Sequence, residues 1–211
     1  MAVTPADEPI AREVLLALSS LEELRCEIGE CQRCPLGSTR TTLVFGVGDP
    51  HARLMFVGEA PGRNEDLKGE PFVGAAGTLL DELLESIGLE RSQVYIANVL
   101  KCRPPNNRDP LTDEIAACTP FLARQLELIA PTVIATLGNF ATRYVLRTDR
   151  PISAIRGRLF HVDGRAVVPI FHPAAALYDR SKRDVLFEDF KRLRIIMDRA
   201  AESGADQPQL F

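Results

Sequence analysis

Glu59, Glu65 and Asp66 lie in one stretch, Val57-Gly58-Glu59-Ala60-Pro61-Gly62-Arg63-Asn64-Glu65-Asp66, which runs on to Pro71-Phe72-Val73-Gly74. Carboxylates take up protons or order a water, and an aromatic such as Phe72 offers a stacking face. The glycines and prolines bend the backbone between them. An apolar run, Leu54-Met55-Phe56-Val57, precedes the stretch, and a helical pattern, Gly77-Thr78-Leu79-Leu80-Asp81-Glu82-Leu83-Leu84, follows it. The loop therefore sits at the carboxyl end of a buried parallel strand, where open α/β sheets bind ligands.

Two more polar residues fall at strand ends. Asn98 closes Val94-Tyr95-Ile96-Ala97-Asn98, and His172 follows Ala166-Val167-Val168-Pro169-Ile170-Phe171, next to Pro173 and the small residues Ala174-Ala175-Ala176. In a parallel sheet both come to the same edge as Glu59. Together they make a pocket with an amide reader, a hydrogen-bond donor or cation, and a carboxylate.

Five cysteines are present. Cys31 and Cys34 form C-x2-C, and Cys102 and Cys118 flank the loop and helix start after the second strand. In a reducing compartment such sets serve metals rather than disulfides. Four thiolates suit tetrahedral zinc or an iron–sulfur cluster, and the spacing does not choose between them. Either would staple the N-terminal helix to the core. Cys26 is the spare, read as a core thiol.

The chain of 211 residues is 45% hydrophobic with a net charge of −4, so any nucleic-acid surface must be local. Local basic clusters exist: Lys101, Arg103 and Arg108 around the cysteine loop, Arg156 and Arg158 about Gly157, and Arg180, Lys182 and Arg183 after His172. Each borders the same sheet edge and could form a phosphate track.

Positioning these groups takes a regular alternation of elements. Residues 11–28 read as one amphipathic helix, with Val14, Leu15, Leu18, Leu21 and Leu24 on one side and Gly29 as its stop. An extended piece at 42–46 and a turn at Asp49-Pro50-His51 precede strands at 53–57, 94–99 and 132–137. Thr112 is expected to cap a helix over 112–130, and Asn139 one over 139–146. Asp163-Gly164 signals a hairpin between 159–162 and 166–171, and a last helix spans 183–201. The pattern gives a mainly parallel sheet covered on both faces. Residues 1–9 read as a disordered, acidic start without a signal-peptide pattern, 10–201 as one domain, and 202–211 as a flexible tail. No window is long and apolar enough to span a bilayer, so a cytoplasmic, nucleoid-associated protein is expected.

Taken together, Gly58-Glu59-Ala60-Pro61-Gly62-x-x-Glu65-Asp66, Pro71-Phe72-Val73-Gly74, Asn98-x-x-Lys101-Cys102-Arg103-Pro104-Pro105-x-Asn107-Arg108 and Phe171-His172-Pro173-Ala174 resemble the family 4 uracil-DNA glycosylases over about residues 24–191. The resemblance implies a three-layer α/β/α sandwich with a mainly parallel four-stranded sheet. It implies a [4Fe–4S] cluster on Cys31, Cys34, Cys102 and Cys118, and so favours iron–sulfur over zinc. It implies hydrolysis of the N-glycosidic bond of deoxyuridine in single- or double-stranded DNA by a monomer. The other reading is a non-catalytic uracil- or lesion-binding module with a structural metal site.

On that resemblance, Phe72 stacks on the flipped uracil and Asn98 reads its O4 and N3–H. His172 donates to O2 of the leaving base. Ala60 and Gly62 line the substrate site, and Glu65 shapes it near uracil C5. Glu59 and Asn107 position the water, because Ala60 stands where related glycosylases carry an aspartate. Leu177 is the wedge into the vacated stack. Lys101, Arg103, Arg108, Arg156, Arg180 and Lys182 meet DNA. The loop after Lys101 has no histidine, against covalent capture of the product. The tail Gln207-Pro208-Gln209-Leu210-Phe211 resembles the peptide by which partners of the bacterial sliding clamp enter its groove.

Overall fold

The computed structural model describes residues 10–205. Six strands occur in it: β1 Val47–Gly48, β2 Leu54–Gly58, β3 Tyr95–Asn98, β4 Val133–Leu137, β5 Phe160–Val162 and β6 Arg165–Ile170. The helices are α1 Arg12–Ala17, α2 Leu21–Ile28, α3 Arg63–Lys68, α4 Ala75–Glu85, α5 Thr112–Ile129, α6 Asn139–Leu146, α7 Ile152–Ile155, α8 Ala175–Tyr178 and α9 Ser181–Ala205.

The strands form one sheet in the order β1-β3-β2-β4-β6-β5. β3, β2, β4 and β6 run parallel, and β1 and β5 add antiparallel edges. The register pairs Gly58 with Asn98 and Leu137 with Ile170, so the carboxyl ends of all four parallel strands meet at one edge. The expected four-stranded sheet is thus enlarged to six. One added edge, β5, is the hairpin arm read at 159–162; the other, β1, is too short to carry a period-two signal. β1 is two residues long, and at Gly48 a Cβ would overlap the Val94 carbonyl oxygen, so glycine alone permits that pairing.

Apolar side chains alternate to both faces of the central strands. Leu54 and Phe56 face α4 and α9, where Phe56 stacks on Phe190 with centroids 5.7 Å apart. Met55 and Val57 face α5 and α6 through Leu122, Ile129, Ala141 and Val145. Burying each such Leu or Phe stabilises the fold by about 1.5–3 kcal/mol. Among the described residues no helix is long and apolar enough to cross a membrane.

Three expected helix starts are built differently, each because a polar side chain finds a different backbone partner. The N-terminal helix is two helices: Ser20 Oγ accepts from Glu23 N–H at 3.1 Å and starts α2 afresh. Thr112 does not cap α5. Instead Glu114 reaches back to accept from Leu111 N–H at 2.8 Å. Asn139 does not cap α6, since its Oδ1 accepts from Ile152 N–H at 2.8 Å and so starts α7. The final helix is longer than expected and runs through Ala205, into the segment read as tail. Residues 1–9 and Gln207 to Phe211 lie outside the described residues.

Candidate active site

Three strand ends and the loop after β2 enclose one pocket. At its floor Asn98 ends β3, only 2% exposed, with its amide hydrogen-bonded to nothing else among the described residues. An amide that opens on the pocket with no protein partner is available to a ligand there. Gly58 on β2 lies against it, and any Cβ there would overlap Asn98 Oδ1.

Phe72 forms the pocket wall from a strained position, with φ +55°. Two features hold it there. Glu65 Oε1 accepts from Val73 N–H at 3.0 Å and Gly74 N–H at 3.2 Å, pinning the turn. Beneath it, a Cβ at Gly77 would overlap the Phe72 carbonyl oxygen. Gly77→Ala is therefore expected to displace Phe72 at a cost of about 1–3 kcal/mol, read as a melting temperature lower by roughly 2–4 °C per kcal/mol. An unchanged melting temperature and excision rate would show that the turn gives way freely. Glu65 thus shapes the pocket by fixing the Phe72 turn. Asp66, next to it, is buried and accepts from Thr41 N–H at 2.9 Å, tying the loop to the segment behind.

His172, after β6, stacks on Phe72 with centroids 5.4 Å apart and planes 24° from parallel. Its Nδ1 accepts from Ala174 N–H at 3.1 Å, so the ring proton sits on Nε2. Burial pushes its pKa down to about 4, against a smaller opposing pull from Glu65. At neutral pH His172 is therefore an uncharged donor.

Glu59, Ala60, Gly62, Glu65 and Asn107 line the same pocket. Burial, and then the charge of Asp109, raise the Glu59 carboxyl above its ordinary value. Asn107 sits in left-handed backbone, and its Oδ1 accepts from Arg103 Nε at 2.7 Å. Glu59 and His172 also line a second, adjoining cavity that carries Asp109, Gly138, Asn139, Arg143 and Lys182. Sequence reasoning missed Asp109 and Arg143. Asp109 follows Arg108 in the loop already singled out, whereas nothing in the helix of Arg143 marks it.

The basic residues divide. Lys101 is a correction: it is 0% exposed and cannot meet DNA, because its Nζ donates to Asn98 O at 2.8 Å and Gln125 Oε1 at 2.6 Å inside the core. Arg156 grips buried Asp189 with two bonds, 2.8 and 2.7 Å, and covers the Phe171 ring. Arg108 chelates buried Glu114 at the pocket rim. Arg103, Arg180 and Lys182 remain near or at the surface, Lys182 beside Asp179 at 3.3 Å and over Phe171. On α8 Leu177 is 48% exposed, and its neighbour Tyr178, which sequence reasoning passed over, is 93% exposed.

Cys31, Cys34, Cys102 and Cys118 line one small space, bounded also by Leu43, Lys101 and Ala117. No three His, Cys, Asp or Glu side chains among the described residues stand in position to share a single metal ion. Burial raises the thiols, Cys102 to about 11 and Cys118 to about 12. Two donors address the sulfurs: Lys101 N–H to Cys118 Sγ at 3.2 Å and Arg40 Nη1 to Cys102 Sγ at 3.5 Å. The Arg40 side chain is 4% exposed. A guanidinium and a backbone amide directed at the sulfurs fit the anionic thiolates of a bound metal group. Cys26 is exposed on α2, correcting its reading as core, since its face of the helix turns away from Leu24 and Ile28.

Residues 45–194 match the model of the Uracil DNA glycosylase superfamily. The chain is 48% identical to the type-4 uracil-DNA glycosylase of Archaeoglobus fulgidus, covering 92% of this chain and 98% of that protein. It is 49% identical to that of Sulfurisphaera tokodaii, covering 84% of each, and 44% identical to that of Thermotoga maritima, covering 79% of this chain and 89% of that one.

Proposed function

The chain belongs to the uracil DNA glycosylase superfamily, within its type-4 uracil-DNA glycosylases, and on that footing we infer how its pocket removes uracil from DNA. It hydrolyses the N-glycosidic bond, releasing uracil and leaving an abasic site. The observation that carries the mechanism is the pairing of an unpartnered Asn98 amide with a neutral His172 Nε2–H in one pocket. Extruding the base costs about a few kcal/mol. Stacking on Phe72 returns roughly 1–3 kcal/mol.

Asn98 donates to uracil O4 and accepts from N3–H. His172 donates to O2 as negative charge gathers on the leaving base. Because Glu59 and His172 line both cavities, the glycosidic bond lies at their junction, with the sugar and its phosphate in the cavity of Arg143 and Lys182. Leu177 and Tyr178 enter the vacated stack, and Arg103 and Arg180 add phosphate contacts.

Glu59, with Asn107 and the Ala60 backbone, holds the water. Glu59→Gln should slow excision by about 10²-fold, the low end for general-base catalysis. Glu59 must be ionised to act and its pKa is raised. The acid limb of the pH–rate profile should therefore lie above that of an ordinary carboxylate and vanish in the variant. Full activity in Glu59→Gln would remove it from the mechanism.

The sheet with a core on each face supports the three-layer α/β/α arrangement. Cys31, Cys34, Cys102 and Cys118 would hold the [4Fe–4S] cluster. All four line one space, and four thiolates are the donor set that such a cluster takes. Held by these four residues, the cluster would play a structural part, tying the loop of Cys31 and Cys34 to that of Cys102 and Cys118 beside the DNA edge. A pocket completed within one chain suits a monomer acting on DNA in the cytoplasm and nucleoid. Gln207 to Phe211 supplies a sliding-clamp peptide; deleting these five residues should abolish clamp affinity, and unchanged affinity would end that assignment.

The deciding assay is an oligonucleotide carrying one uracil, incubated with iron-loaded protein and then cleaved at abasic sites with alkali. Cleavage is expected for uracil and absent for a thymine control. No cleavage would leave a binding module, to be tested by gel shift on the same oligonucleotide.

A further inference from the structure

Lys101 stands between the two sites described above. It comes three residues after Asn98 and immediately before Cys102. Its Nζ donates to the Asn98 carbonyl at 2.8 Å and to Gln125 Oε1 at 2.6 Å, while its backbone N–H donates to Cys118 Sγ at 3.2 Å. Its own carbonyl accepts from Val44 N–H at 2.8 Å. Gln125 carries the chain of bonds on, donating to Phe45 O at 2.9 Å and to the Tyr95 hydroxyl at 3.4 Å. The base reader, the segment after the first cysteine pair and α5 thus converge on one fully buried ammonium.

Both acceptors of that ammonium are neutral, and it forms no ion pair among the described residues. A fully buried cation normally takes a carboxylate partner, because desolvating it alone is costly. The cysteine space lies directly against it, since Lys101 forms part of its wall. Four thiolates around a metal centre carry net negative charge and would supply the missing counter-charge.

We propose that Lys101 is the positioning residue that couples the metal–thiolate centre to the uracil reader. The centre balances its charge, and its head group in turn fixes the Asn98 carbonyl and with it the amide that reads the base. When the centre is lost, the ammonium must find water or another acceptor, and the end of β3 shifts with it. The inference rests on the glycosylase reading and on the cluster assignment. It makes base recognition sensitive to the state of a centre that touches no substrate, through hydrogen bonds that connect the two sites directly.

Lys101→Met tests it, since methionine fills similar space and leaves no buried charge. Melting temperatures are measured for wild type and variant, each iron-loaded and after iron removal by chelation, together with visible absorbance and excision kinetics. In wild type the iron-free form should melt well below the loaded one. In Lys101→Met that gap should narrow by roughly 5 °C or more. The loaded variant should keep its visible absorbance yet lose about 10–100-fold in kcat with little change in KM, as expected when a reacting group is misplaced. Lys101→Arg should restore the wild-type gap. An unchanged gap or a wild-type kcat in Lys101→Met overturns the proposal.

If Lys101→Met does not fold, amide hydrogen exchange on wild type decides. Iron removal should strip protection from residues 95–100 while sparing the β5–β6 hairpin, and unchanged protection at 95–100 overturns the coupling. Failure of the glycosylase reading would show separately, as loaded wild type that releases no uracil, and the melting and exchange measurements would still be readable.

Discussion

Asn98→Leu is expected to lower kcat/KM for uracil in DNA by about 10⁴-fold, because a pocket built around hydrogen bonds to its ligand loses that much when they cannot form. The leucine keeps the branching and the number of side-chain heavy atoms but carries no donor or acceptor, so the loss reports chiefly the amide. Asn98 can serve because its amide is uncommitted and its backbone carbonyl is held by Lys101. One orientation of that amide meets uracil, which presents an acceptor at O4 and a donor at N3–H. Cytosine presents the reverse, a donor at N4 and an acceptor at N3, so the same orientation mispairs both groups inside a buried pocket. Wild type should therefore reject cytosine by about 10⁴-fold or more. Asn98→Asp makes the position acceptor-only, which repels uracil O4 and suits the cytosine amino group. The ratio of uracil to cytosine excision should fall in that variant. Single-turnover rates on matched uracil and cytosine oligonucleotides measure it, and an unchanged ratio would take Asn98 out of base reading.

His172→Ser should cost about 10²–10³-fold in kcat, the usual effect of removing one donor to a developing anion, with KM little changed. The donor is neutral because burial holds its pKa near 4 and because Nδ1 is occupied by Ala174 N–H. The wild-type pH–rate profile should therefore show no break near the ordinary histidine value, about 6.5. A break there that disappears in His172→Ser would mean that the charged ring is the working form. The same depressed pKa bears on stability. The unfolded chain takes up the proton below about 6.5 while the folded chain refuses it until about 4. The contribution of His172 is thus full above that range and is lost progressively as the pH falls through it. Denaturant melts of wild type and His172→Ser between those limits should converge as the pH is lowered.

Much of this molecule was legible in its residues. The parallel strands announced themselves as apolar runs, because a strand buried on both faces has no polar positions to interrupt it. Their carboxyl-terminal loops therefore marked the pocket edge, and Glu59, Phe72, Asn98, Asn107 and His172 all line the pocket found there. The hairpin at Asp163-Gly164 followed from local chemistry alone, and both residues adopt the positive φ that such a turn requires. The four cysteines were paired by spacing, and they line one space.

Residue type and spacing are local properties, and they determined which elements form and which side chains could do chemistry. Burial and pairing are sums over neighbours distant in the chain, and only the tertiary structure decided those. Lys101 and Arg156 read as phosphate contacts because they are basic and sit in loops at the right edge. Folding turns the first inward onto Asn98 and Gln125, and commits the second to Asp189 on α9. His172 could have been cation or neutral donor until the packing of Phe72 and the Ala174 amide settled its proton. Phe72 shows nothing unusual as a letter, yet Gly77 and Glu65 hold it in a conformation it would not adopt alone. The second cavity beside Glu59 joins Asp109, on a loop, to Arg143 on α6 and Lys182 on α9. Its members share no motif because their proximity exists only once the sheet has brought those elements to one edge.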